Sequence, residues 1–404
     1  MLVRNRWVVL SIGMVAQVAG VSAIFGIPVV LPSLREDFGV STAQAGILAG
    51  LPSFGLLLTL LLWGVVIDRV GERTTMVISL VSTTVTLALL WVAPGLWGVA
   101  AILTLLGAVG GPVNAASGRL VLTWFSVEER GLAMGIRQSG LPLGVGLAAL
   151  VLPRAAEAWG FVGAMSLPGI LALLAVPLVA AVPASPPRPP AIMTDRGPTR
   201  EGPEASSETE TGSPYRRWPI WRVHGVSMLL GVPQITLMTY AALYLVQEQG
   251  WSPPAAGVMV AVAQVPGAVG RLILGAVSDR DGERMRPVRL LAIVATVALL
   301  LLTLLPASLP WSALVLLPLC LVLTMWHNGL TFTSVAEIAG TSWAGRALAV
   351  QNWLQAVSTT LTPLLMAVVI TFAGLPWVFA VSALFAAAAV AVVPVGRRNG
   401  RGNV

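Results

Sequence analysis

The sequence predicts an all-α integral membrane protein of twelve transmembrane helices, arranged as two pseudo-symmetric six-helix bundles. Three observations predict it. Of 404 residues, 56% are hydrophobic and 10% charged, with a mean hydropathy of +0.85. The charges cut the chain into apolar stretches near the roughly 20 residues that a helix needs to cross about 30 Å of hydrocarbon. One short polar loop also occurs twice. A water-soluble fold of this length has too little interior to hide so much apolar surface.

The apolar segments fall at about 7–31, 43–67, 74–93, 97–122, 131–153, 161–183, 220–246, 255–277, 288–306, 311–337, 347–373 and 375–395. Arg4 and Arg6 ahead of the first, with Val21-Ser22-Ala23 inside it, resemble a cleavable leader. The apolar run continues to Leu31, so it is read as the first permanent helix. Between the sixth and seventh segments the composition changes to Pro, Ser and Glu, from Pro186 through Glu201, Glu204, Glu208 and Glu210 to Pro214. Such a stretch buries too little apolar surface to fold. The predicted organisation is a first bundle over 1–183, a disordered cytoplasmic linker over 184–219, a second bundle over 220–396 and a tail over 397–404.

Every basic residue is arginine, and loops rich in arginine stay cytoplasmic. Arg4, Arg6, Arg69, Arg73, Arg130, the linker arginines, Arg280, Arg284, Arg286, Arg289, Arg346, Arg397, Arg398 and Arg401 fall on one side; Arg35 and Arg154 fall on the other. Both termini and the linker are therefore expected in the cytoplasm, with the chain in the cytoplasmic membrane. The net charge of +7 does not form a basic stripe interleaved with aromatics, which excludes nucleic acid as a partner. The single cysteine, Cys320, has no intrachain partner.

The duplicated loop runs Gly64-Val65-Val66-Ile67-Asp68-Arg69-Val70-Gly71-Glu72-Arg73 after the second segment. It recurs as Gly275-Ala276-Val277-Ser278-Asp279-Arg280-Asp281-Gly282-Glu283-Arg284 after the eighth. The register extends back to Gly39 with Gly250, Ser41 with Ser252, Ala45 with Ala256 and Gly46 with Gly257. Parallel six-helix repeats are a plan of secondary transporters, with the binding site at midplane between the halves. Glycine permits a tight turn and close helix approach, while the charges hold the loop at the surface.

Gly-x-x-x-Asp-Arg-x-Gly-x-Arg at both positions resembles the signature loop of the major facilitator superfamily, over nearly the whole chain. The resemblance implies alternating access, a monomeric working unit and a conformational latch at Gly64, Asp68, Arg69, Gly71 and Arg73 and at Gly275, Asp279, Arg280, Gly282 and Arg284. The run Glu129–Gln138 more faintly resembles the cyanate permease branch. Two departures weaken a proton-driven drug-efflux reading. The fourth-helix arginine of many proton-coupled members would fall at Leu103, and the fifth helix has only Gly140-Leu141-Pro142-Leu143-Gly144.

Ionisable residues inside spans are costly and mark candidate sites. Arg119 is expected to snorkel to the interface. Arg137 either contacts an anion in the cavity or pairs with an acid such as Asp68. Arg271 and Glu337 are expected to pair across the second half. The neutral polar set is Gln17, Asn114, Gln138, Gln234, Tyr240, His327, Asn328, Asn352 and Gln355, open both to a substrate cavity and to simple interhelical bonding. In the superfamily, helices one, four, seven and ten line that cavity, and these four carry much of the set. His327 is the residue suited to carrying a proton.

There is no zinc spacing, phosphate loop, nucleophile elbow or lysine, so no cofactor, metal site or enzymatic activity is expected. The expected partners are the bilayer, a small-molecule substrate and a coupling proton or ion. The leading function is secondary transport of a small organic anion; the alternative is an efflux carrier for a hydrophobic compound.

Overall fold

The computed structural model describes residues 5–125, 133, 136–137, 139–183, 213–216, 218–281, 284–305, 309, 312–340 and 343–394. Among these the architecture is built on thirteen α-helices. They are α1 (Arg6–Phe25), α2 (Leu31–Phe38), α3 (Thr42–Ala88), α4 (Gly95–Gly110), α5 (Pro112–Trp124), α6 (Gly140–Ala180), α7 (Trp218–Gln247), α8 (Pro253–Asp281), α9 (Met285–Leu304), α10 (Leu317–Met325), α11 (His327–Ala339), α12 (Ala344–Ala373) and α13 (Trp377–Val392). Ten helical stretches are long and apolar enough to cross a membrane. Hydrocarbon offers a backbone no hydrogen bonds, so a spanning segment must satisfy itself as a helix. Large apolar side chains face outward, Leu62 and Leu384 each about two-thirds exposed, as a lipid-facing surface requires. Exposed Trp91, Trp97 and Trp159 lie at one end of the helices and Trp218 and Trp221 at the other, where amphipathic rings meet headgroups.

Several predicted boundaries change. Segments 43–67 and 74–93 are one helical run, α3, interrupted at Gly71 (φ 81°, ψ 166°). Segments 131–153 and 161–183 meet inside α6 at Gly160 (φ 68°). A left-handed glycine reverses or breaks a helix in one residue, so no polar loop is needed. At Gly160 the Asp37 carboxylate at the end of α2 accepts the Phe161 N–H at 2.6 Å, capping the second part of α6. Segment 97–122 is divided at Pro112, whose missing N–H ends the α4 ladder. Segment 311–337 is divided at Trp326 into α10 and α11. Residues 184–212 of the predicted linker lie outside the described residues, whereas Pro214–Arg216 forms an ordered turn.

The buried apolar residues fall into three clusters. One joins both halves, with Leu48, Ala148 and Leu152 packed together with Tyr240, Val260 and Met366. The other two are each confined to one half: Val9, Met76, Val121 and Val179 in the first, and Ile220, Val288, Val335 and Ala389 in the second. The shared cluster occupies the end remote from the chain termini. There Thr42 bonds Gln247 at 3.2 Å, the Tyr240 ring lies against Gly46, Pro363 lies against Gly50, and the Ala149 carbonyl and Pro153 lie against Gly257. The halves are thus pinned at one end and hold separate cores at the other.

Candidate functional site

Below the shared core lies a cavity of about 200 Å³ between the halves. Gln17 and Asn114 line it from the first half, Asn352 and Gln355 from the second, with Ile24, Phe25 and Leu56 among its apolar walls.

Behind each polar wall stands a triad. In the first half, Gln17 on α1 donates to Asn114 Oδ1 at 3.1 Å, and Arg137 Nη2 donates to the same oxygen at 2.7 Å and to the Asn114 carbonyl. Arg137 Nε also donates to Ser117 Oγ at 3.1 Å. A guanidinium only donates, so the Asn114 atom it meets is the oxygen, and the amide nitrogen is left for the cavity. Asn114 is exposed there while Arg137 is 7% exposed. In the second half, Asn328 on α11 donates to Gln234 Oε1 at 3.0 Å and accepts from Gln355 Nε2 at 3.0 Å, and Gln355 also donates to Ser227. Asn352 donates to the Leu348 carbonyl. The first triad draws on α1, α5 and Arg137, the second on α7, α11 and α12. Their chemistry differs: the first wall offers an N–H backed by a buried cation, and the second offers the amide oxygens of Gln355 and Asn352.

The other predicted residues are distributed as follows. Tyr240 lies outside the cavity, fully buried in the shared core with its hydroxyl 3.4 Å from the Pro363 carbonyl. His327 is 1% exposed and lies behind the cavity wall. Arg119 faces Glu72 at 3.9 Å and remains 43% exposed, which joins α5 to the turn after Gly71. The expected Arg271–Glu337 pair is corrected: Glu337 bonds Arg284 at 2.7 Å, and Arg271 donates to the Met325 carbonyl at 2.9 Å. The broken helix leaves a backbone acceptor beside Arg271, and among the described residues no acid pairs with it. Of the loop residues, Gly71 supplies the turn, Gly64 lies within helix, Arg69 is exposed and Arg73 half-buried. Arg284 also donates to Ser278 at 2.9 Å. The side chains of Asp68, Asp279 and Arg280, the surroundings of Gly275, and Gln138 and Gly282 lie outside the described residues.

Sequence reasoning passed over His224. It is buried, bonded to Gln351 on α12, and stacked on Tyr215 with ring centroids 5.9 Å apart. Gln351 meets Nδ1 with its amide oxygen, an acceptor, so Nδ1 carries the hydrogen and Nε2 accepts from the Tyr215 hydroxyl at 3.4 Å. A histidine within two turns of the start of a membrane helix was the available signal.

A helical membrane bundle pinned at one end, with a polar cavity between its halves, is the architecture of a solute carrier. The chain belongs to the Major Facilitator Superfamily, whose sequence pattern it matches over residues 10–359. It is therefore a multi-pass membrane protein that moves a small solute by alternating access. It is 37% identical over 392 residues to an uncharacterized MFS-type transporter of Mycobacterium tuberculosis, covering 96% of this chain and 85% of that one. It is 24% identical over 253 residues to the hexuronate transporter of Bacillus subtilis, covering 61% of this chain and 58% of that one. Its fold is similar to the crystal structure of a bacterial homologue of the human lysosomal transporter Spinster, with a TM-score of 0.77 at 14% identity, covering 96% and 95% of the two chains. These relatives do not support the cyanate permease branch.

Proposed function

We propose that the protein is a twelve-span, two-bundle carrier for a small organic anion bearing hydroxyl groups, working as a monomer with both termini in the cytoplasm. The observation that carries the substrate class is the clamping of Asn114. Arg137 and Gln17 hold its oxygen and turn its N–H toward the cavity, with the buried guanidinium supplying positive potential behind it. A carboxylate accepts there, and hydroxyl donors reach the Gln355 and Asn352 oxygens opposite. A relative named as a hexuronate transporter agrees with that chemistry.

The count of twelve is supported by a reading that divides α3 at Gly71 and α6 at Gly160, joins α4 to α5 and α10 to α11, and adds the shorter apolar helix α13. With the termini in the cytoplasm, as arginine placement favours, the pinned end is extracellular and the cavity faces inward.

The test is thermal stabilisation of purified protein by hydroxycarboxylates, plain carboxylates, neutral sugars and lipophilic cations. A ligand at 100 times its Kd stabilises the folded state by about 2.7 kcal/mol. The expected hits are hydroxycarboxylates, lost in Asn114→Leu. Stabilisation confined to lipophilic cations or neutral compounds would overturn the anion reading in favour of efflux of hydrophobic compounds.

A further inference from the structure

The solute cavity is polar at one level and gives way to an apolar chamber at the next. On α12 the face that lines it carries Asn352 and Gln355, then Thr359 one turn on, and Pro363 a turn beyond that. At about 1.5 Å per residue, the climb from Gln355 to Thr359 is about 6 Å and that from Gln355 to Pro363 about 12 Å, toward the pinned end. On α1 the same ascent leads from Gln17 to Ile24.

At the upper level lies a second cavity of about 20 Å³. It shares Ile24, Phe25, Ser53 and Thr359 with the larger one, so the two adjoin. Its own walls include Pro28 and Ala49 from the first half and Ile235 and Met238 from the second. Thr359 donates its hydroxyl to the Gln355 carbonyl at 2.8 Å, which leaves the methyl group for the chamber. Ser53 and Thr239 bring the other hydroxyls, and among the described residues the lining holds no amide and no charge. The chamber ends where Pro363 presses on Gly50, a Cβ there lying 3.0 Å from the proline ring, and one turn further the Tyr240 ring lies against Gly46.

One water needs roughly 10–15 Å³ of such space, so the chamber holds one or two methyl-sized groups. A solute hydroxyl lodged among Pro28, Ile235 and Met238 would give up water without a replacement partner, whereas an alkyl end gains by leaving water. We infer that this chamber is an alkyl subsite, and that the solute is an α-hydroxycarboxylate with a short unsubstituted chain. Its carboxylate meets Asn114, its hydroxyl the Gln355 and Asn352 oxygens, and its chain end Ala49, Ile235 and Met238. About five C–C bonds of roughly 1.5 Å each, zigzagged, cover the rise to Thr359, which puts the best chain near about six carbons. Polyhydroxylated acids satisfy the amide walls but strand hydroxyls in the chamber, so the site selects against them. Ala49 leaves the space open and Met238 closes it, which makes these two the residues that set chain length. The inference rests on the anion reading of the cavity and deepens it by fixing the far end of the molecule.

The test is titration calorimetry of the purified full-length protein with glycolate, α-hydroxybutyrate, α-hydroxyhexanoate and α-hydroxyoctanoate, and with glucuronate as the polyhydroxylated comparison. Affinity is expected to rise about fourfold for each methylene that enters the chamber, to peak at α-hydroxyhexanoate and to fall for α-hydroxyoctanoate. In Ala49→Leu the peak moves to shorter acids, and in Met238→Ala to longer ones. Opposite shifts from a filled and an emptied chamber separate a change of fit from a loss of fold. An affinity that climbs steadily through α-hydroxyoctanoate and ignores both variants is partition onto apolar surface and overturns the subsite. Glucuronate binding more tightly than α-hydroxyhexanoate overturns it as well, while the anion reading stands. If lipophilic cations bind and no carboxylate does, the anion reading falls and the subsite with it.

Discussion

Replacing Gly257 by alanine puts a methyl group where the two halves touch closely. A Cβ built there lies 2.8 Å from Pro153 Cγ and closer still to the Ala149 carbonyl oxygen. Ordinary van der Waals contact begins near 3.4 Å. Neither neighbour can rotate away, since one is backbone and the other a proline ring, so α6 and α8 must part. Over-packing of this kind costs about 1–3 kcal/mol. The seam exists only while this end is closed, so the cost falls on that state alone. The equilibrium then shifts roughly 5- to 150-fold toward arrangements in which the end is open. The assay is the distance distribution between spin labels at Glu36 and Glu248, with buried Cys320 replaced by alanine. A new, longer population is expected in Gly257→Ala. A folded variant whose distribution matches that of the parent would refute the claim that this glycine seam holds the closed end.

Three further outcomes follow from the same geometry. Gly107→Ala presses on the Pro52 backbone inside one half, so it should lower thermal stability by about 1–3 kcal/mol in a melting assay without lengthening the Glu36–Glu248 distance. Asn114→Asp places a carboxylate against Arg137 at the cavity wall; anion binding by titration calorimetry should fall at least about tenfold, because each 1.4 kcal/mol of like-charge repulsion is tenfold, while the melting temperature changes little. Glu337→Ala breaks a pair with Arg284 in which the glutamate is half exposed, so chemical denaturation should show a loss of only about 0–1 kcal/mol.

The readable parts of the sequence were those whose physics is local. Apolar length sets the spans, and the duplicated loop announces two halves before any contact is known. The repeat register reached further than the loop: Gly46 and Gly257 correspond in it, and both lie at the closed seam, receiving Tyr240 and the Ala149–Pro153 turn respectively. A repeat position that must be glycine in both halves marks a surface where the halves approach closely, a meaning invisible until they are packed. Partner choice was the illegible part. Arg271 and Glu337 looked matched by charge, yet a guanidinium in a helical membrane protein has backbone carbonyls to choose from wherever a helix breaks. The break at Trp326 carries no proline or glycine to announce it. Tyr240 failed as a cavity residue for a related reason: it sits on the right helix, but its height along that helix places it in the seal. Arg137 shows how type and position combine. Its burial was foreseeable from a charge inside a span, but its action through Asn114 follows only from three helices meeting, which turns a residue too deep to touch a solute into one that sets which end of an amide the solute sees.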